Sequence, residues 1–220
     1  VKTQNPLLRA IQLEWALEFR QKSAFAAALL FVAGSAFLAS KTYAGVPPSK
    51  AWNALLWVVL LFSALHAATR SFAGVPPARW WLIGQWIQPV HWLWAKALVT
   101  SVQLVVLGLS SLGLFALLLG LPVGNVSGFV ATVVLGSAGL SGVLTTTAAI
   151  AAQADSRASL MAVLSIPLLL PTLATIQRAS TLAVAGLPWS ELWMPLGSIA
   201  LLAAVPAVLG TLLFPYLWKP

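Results

Sequence analysis

Six separate stretches of roughly twenty residues are almost free of charged side chains, and this constrains the fold more than any other property of the sequence. A helix crossing the hydrocarbon core of a bilayer takes about 20 apolar residues. Of the 220 residues, 60% are apolar and only 7% are charged, and the mean hydropathy is +0.93. A soluble domain carries roughly 25% charged residues because its surface must face water. A lipid-facing surface needs almost none, provided every backbone group is bonded within a helix. The expected fold class is therefore an all-α integral membrane protein, an N-terminal amphipathic interfacial helix followed by six transmembrane helices. Six spans and short connections use up these residues and leave no space among them for a soluble catalytic domain.

Two parts are expected: an amphipathic helix over 1–22 and a six-span domain over 23–220. Leu8, Ile11, Trp15 and Phe19 recur at helical spacing, while Arg9, Glu14, Glu18, Arg20 and Gln21 take the remaining positions. A helix of that kind lies in the membrane interface rather than across it. A cleavable signal peptide is not expected, since a long charged helix precedes the first apolar run. Spans are expected at about 23–43, 52–69, 97–121, 126–152, 160–176 and 192–214. Proline and glycine punctuate them, at Val46-Pro47-Pro48 and at Pro122 with Gly124. Small residues from Gly120 to Gly142 favour close helix packing in the fourth span. Pro167 and Pro171 are expected to interrupt the fifth. Residues 178–191 read as a segment outside the membrane, with a re-entrant piece around Leu187-Pro188-Trp189.

Residues 70–96 differ from the spans. They hold Arg70, Arg79, Lys96, His91 and the tryptophans Trp80, Trp81, Trp86, Trp92 and Trp94, with His66 just before them. Tryptophan concentrates at headgroup depth, where its ring is buried and its N–H stays wet. The stretch reads as an interfacial loop with a short helix over about 79–87.

The net charge of +8 does not indicate a nucleic-acid partner, because the basic residues stand singly at the ends of apolar runs instead of clustering on one face. They set orientation instead. With the N-terminus inside, Lys2, Arg9, Arg20, Lys22, Arg70, Arg79, Lys96, Arg157 and Lys219 fall on the cytoplasmic side, against Lys41, Lys50 and Arg178 outside. The positive-inside rule then places both termini in the cytoplasm. The absence of cysteine excludes disulfides and thiolate metal sites.

Chemistry of its own is hard to find in the chain. It has no phosphate-binding G-x-x-x-x-G-K-[ST] loop and no helical His pair with a Glu. Its four carboxylates, Glu14, Glu18, Asp155 and Glu191, all fall near expected span ends, with Glu14 and Glu18 facing the cytoplasmic interface. A mid-membrane carboxylate would suggest a proton or ion pathway, so a self-powered pump and an intramembrane hydrolase are both disfavoured. His66 and His91 lie near helix ends, where a histidine is ordinarily wet or capped, and neither is expected to ligate haem. Asn125-Val126-Ser127 matches the glycosylation sequon but carries little weight. No catalytic, metal or directly bound cofactor site is expected. What remains is a bundle that borrows force from a partner through the aromatic, basic loop.

The order of segments resembles the ABC-2 type exporter permeases, and within them the heme exporter protein B (CcmB) family of cytochrome c maturation. The residues that carry the likeness are Leu8-Arg9-Ala10, Glu14 and Phe19-Arg20, then Arg70-Ser71-Phe72, and Trp86-Ile87-Gln88-Pro89 leading to Ala95-Lys96. The stretch from Leu160 to Pro167, with Leu170-Pro171, is the nearest match. Many members carry F-x-x-D-x-x-D-G-S-L after the second span, whereas Phe72 is followed here by Ala-Gly-Val-Pro-Pro-Ala-Arg-Trp-Trp. The resemblance implies a non-catalytic permease subunit, multi-pass in the bacterial inner membrane. Its partners would be membrane lipid, an ABC ATPase subunit, a haem-handling membrane protein and a periplasmic haem chaperone. ATP would act on the partner subunit, with haem as cargo. The coupling residues would be Arg70, Phe72, Arg79, Trp80, Trp81, Gln85 and Trp86. The alternatives are an ABC-2 permease exporting lipid, drug or polysaccharide, and a non-transporting assembly scaffold.

Overall fold

The computed structural model describes residues 6–19, 22–43, 45–73, 89–152 and 157–217. Within them the chain is helical: α1 (Pro6–Phe19), α2 (Lys22–Thr42), α3 (Ser49–Ala73), α4 (Pro89–Leu119), α5 (Val126–Ala151), α6 (Arg157–Val184) and α7 (Trp189–Leu217). The last six are each long and apolar enough to cross a bilayer.

The turns follow from local backbone chemistry. Gly120, at φ +80, ends α4 and packs on Val46 of the α2–α3 connection. Gly186, at φ +78, ends α6, with Gly186 N–H bonded to Ala183 O and Leu187 N–H to Leu182 O. That pattern is the Schellman ending, which requires a left-handed residue and so favours glycine. Asn125 caps α5: its Oδ1 accepts from Gly128 N–H at 2.9 Å, and its Nδ2 donates to Leu187 O at 2.8 Å. The sequon asparagine thus ties the α4–α5 turn to the α6–α7 turn. Gly124 completes the junction, since a Cβ there would stand 2.6 Å from Gly186 Cα.

These contacts bring the 45–48, 120–125 and 185–188 connections to one end of the bundle. The opposite end carries α1, the start of α4 and the end of α3. α5 is the axis, packed against α4, α6, α7 and α3, while α1 and α2 lie against α4. Small residues let the axis be approached closely. Gly136 admits the Trp57 ring, and Gly108 of α4 packs on Ser137 and Val133. Trp52 fills the core near the short-turn end, 5.9 Å edge-on to Phe115 and 5.7 Å from Phe129. Asn53 Nδ2 donates to Ser180 Oγ at 3.0 Å, joining α3 to α6.

Three expectations are corrected. Residues 89–96 are not loop: they form the first two turns of α4, and Trp92 is buried among helices. The expected short helix over 79–87 lies outside the described residues. Pro167 and Pro171 do not interrupt the fifth span, because α6 runs unbroken through both. Each proline removes one backbone donor, which a long helix survives. Residues 178–184 continue α6 instead of leaving it, so only 185–188 separate it from α7, and no re-entrant piece forms there.

Candidate functional site: the α1 end of the bundle

Charge enters the described bundle chiefly at one place. Lys96 lies in the second turn of α4, and its Nζ is 3.1 Å from Glu14 Oε2 of α1, with the two side chains 7% and 4% exposed. The Lys96 ammonium also stands 5.0 Å from the centre of the Trp92 ring. Ala10 and Ala95 are wholly buried, so α1 and α4 approach closely around the pair. A buried charge is tolerated only when paired and hydrogen-bonded. Each partner therefore holds the other helix in register.

Glu14 is thus buried against α4 and not on an exposed face of α1. The apolar stripe of α1 turns the other way: Leu8 is 54% exposed and Trp15 42%. Such a stripe beside six apolar spans is suited to lipid. The helix thus has two working faces, one for the bundle and one for its surroundings.

A cleft opens beside this junction, between α1, α2, α3 and α4. Glu18, Ser63, His66, Arg70 and Gln103 supply its polar groups, and Phe25, Ala28, Leu104 and Leu107 its apolar wall. Arg70 sits in the last turn of α3, where a cation also complements the carbonyl end of the helix. Ser63 Oγ donates to Val59 O at 2.8 Å, and Thr69 Oγ1 to His66 O at 2.9 Å. His66 is exposed at the cleft rim. His91, in the first turn of α4, keeps its Nδ1 buried with no hydrogen-bond partner. Among the described residues no three of His, Cys, Asp and Glu gather closely enough to hold a metal ion.

Of the expected coupling residues, Arg70 lines this cleft and Phe72 lies on the final turn of α3. Arg79, Trp80, Trp81, Gln85 and Trp86 lie outside the described residues, between the ends of α3 and α4 that border the same region. The Glu14–Lys96 pair is not visible in the sequence, because the tryptophan-rich pattern sets Lys96 in a loop. The available signal is Lys96 itself, the one Lys, Arg, Asp or Glu in an otherwise uncharged helix.

Six apolar spans packed on a small-residue axis, with an amphipathic helix clamped to one end, define an all-α protein of the multi-pass membrane class. The sequence profile of the CcmB protein matches residues 6–216, nearly the whole chain, and the chain belongs to the CcmB family. No curated protein matches it significantly. Family membership carries a general role as a non-catalytic, ABC-2-type permease in cytochrome c maturation.

Proposed function

We propose that the chain couples ATP hydrolysis by a separate ABC ATPase to haem delivery, or to release of a haem-loaded periplasmic chaperone. The ATPase would dock at the α1 end of the bundle, which is then cytoplasmic, as the positive-inside rule assigns from Arg9, Arg70, Lys96 and Arg157. Both termini would lie on that side. Contact would be made through Arg70, Phe72, Arg79, Trp80, Trp81, Gln85 and Trp86.

The observation that carries this reading is the buried Glu14–Lys96 pair. It supports transmission because α1 and the third span, joined by a desolvated charge pair, move as one body. Force applied between α3 and α4 would then shift a span and not merely bend a loop. The aspartates usual after the second span are missing here, so docking would rest on Arg79, Gln85 and aromatic packing.

The test is ATP hydrolysis by the reconstituted complex. Arg79→Glu is expected to lower hydrolysis stimulated by the permease about tenfold, the loss of one charge-assisted contact, with membrane insertion and helical content unchanged. Unaltered stimulation would reject this docking site.

A further inference from the structure

Three hollows meet beneath α2. The narrowest, about 40 Å³, is the polar cleft holding Glu18, Ser63, His66, Arg70 and Gln103. A second, about 290 Å³, lies toward α1 and α4 and is walled by Trp15, Phe25, Val99, Val102 and Val106. The third, about 520 Å³, separates α2 from α3 beside Phe31, Phe62 and Leu65. The first and second share Glu18, Phe25 and Gln103, and the first and third share Ala28, Ser63 and His66. A small polar neck therefore opens into two apolar hollows, one on each side of the same helix.

The neck has an unusual charge arrangement. Glu18 and Arg70 both line it, yet they do not pair with each other; among the described residues the ion pair is that of Lys96 with Glu14. Glu18 and Arg70, each part-exposed, face one small cavity without closing on each other, so it offers one site for an anion and one for a cation. A single zwitterion meets both. The two apolar hollows ask in the same way for two hydrocarbon chains, since apolar lining gains most from apolar contents. Basic groups between transmembrane helices near the cytoplasmic surface are established lipid-headgroup ligands.

We infer that the cleft holds one glycerophospholipid with an amine-bearing headgroup. Its phosphate lies on Arg70 and His66, its ammonium on Glu18, and its two acyl chains in the hollows flanking α2. The lipid completes the packing of a helix that protein contacts leave largely uncovered. This goes beyond the coupling role and does not depend on it.

The experiment uses the purified full chain without any ATPase, exchanged into nanodiscs of phosphatidylethanolamine, phosphatidylglycerol or phosphatidylcholine, with retained lipid counted by native mass spectrometry. One phosphatidylethanolamine is expected to be retained in preference to the other two. Arg70→Gln should lower its retention about tenfold, as loss of a charge-assisted phosphate contact predicts. Glu18→Gln should erase the preference over phosphatidylglycerol. Ala28→Phe fills the wall common to two of the hollows and should also lower retention, with all charges intact. Equal retention of the three lipids, or Gln variants that behave as the parent, would overturn the assignment. So would haem held in the cleft and lost in His66→Ala, which would give the site to haem. Because no ATPase is present, either failure leaves the coupling reading to its own test.

Discussion

α5 and α2 have nearly the same hydropathy, yet they do opposite work in the bundle. Inside the protein, 56% of the α5 span is buried, against 11% of the α2 span. The difference lies in the small residues. Gly128 and Gly136 of α5 leave no space for a methyl group, because Leu192 and Trp57 press on them. Gly34 of α2 has nothing within 4 Å. In a bilayer, lipid tails are as apolar as leucine, so helices associate through close packing and polar contacts. Hydropathy decides which segments enter the membrane. Steric fit decides which of them becomes the axis.

The strongest challenge to this contrast comes from Lys96, where the peripheral side of the bundle is pinned. Lys96→Met leaves the Glu14 carboxylate buried and unpaired, and should cost about 3–5 kcal/mol. Unfolding in mixed micelles, followed by tryptophan fluorescence, would read the loss. The double variant Glu14→Gln with Lys96→Met should recover most of it. If the single variant costs nothing, α1 is as loosely held as α2.

Next in size is the axis itself. Gly136→Ala would set a Cβ 2.7 Å from the Trp57 ring, and an overpacked site of this kind costs about 1–3 kcal/mol. The same unfolding experiment checks it, and a stabilised Gly136→Ala would show that the axis has slack. The smallest effect is expected on α2. Gly34→Ala meets no neighbour and removes a flexible residue from a helix, so it should stabilise by about 0.5–1 kcal/mol. A destabilised Gly34→Ala would mean that α2 is covered more tightly than its contacts show.

Much of the fold was legible in the sequence, for identifiable physical reasons. The fourth span was placed within a residue, because Gly124 and Asn125 punctuate its start with turn and cap chemistry. The fifth was cut short because Pro167 and Pro171 were read as breaks, whereas α6 absorbs both and continues to Val184. The third was begun too late. Trp92, Trp94, His91 and Lys96 make 89–96 look like interface, but an aromatic ring such as that of Trp92 serves equally as core filler once a charge such as Lys96 has a partner. The likeness to the CcmB family was carried by the order of short motifs, and the family match over 6–216 agrees with it. The candidate site was less legible. Helical periodicity gives the faces of α1, but not which face meets α4. The assembly of Glu18, His66, Arg70 and Gln103 joins three helices that are distant in sequence.

The Glu14–Lys96 pair also sets an order of events during synthesis. Its partners are 82 residues apart, with α2 and α3 between them. α1 leaves the ribosome before α4, so its buried face has no counter-charge until the third span has been made. Until then the helix can rest on a membrane surface through Leu8 and Trp15, with Glu14 in water. α1 therefore cannot dock until the third span has emerged, so a ribosome stalled before Lys96 should carry α1 free of the bundle.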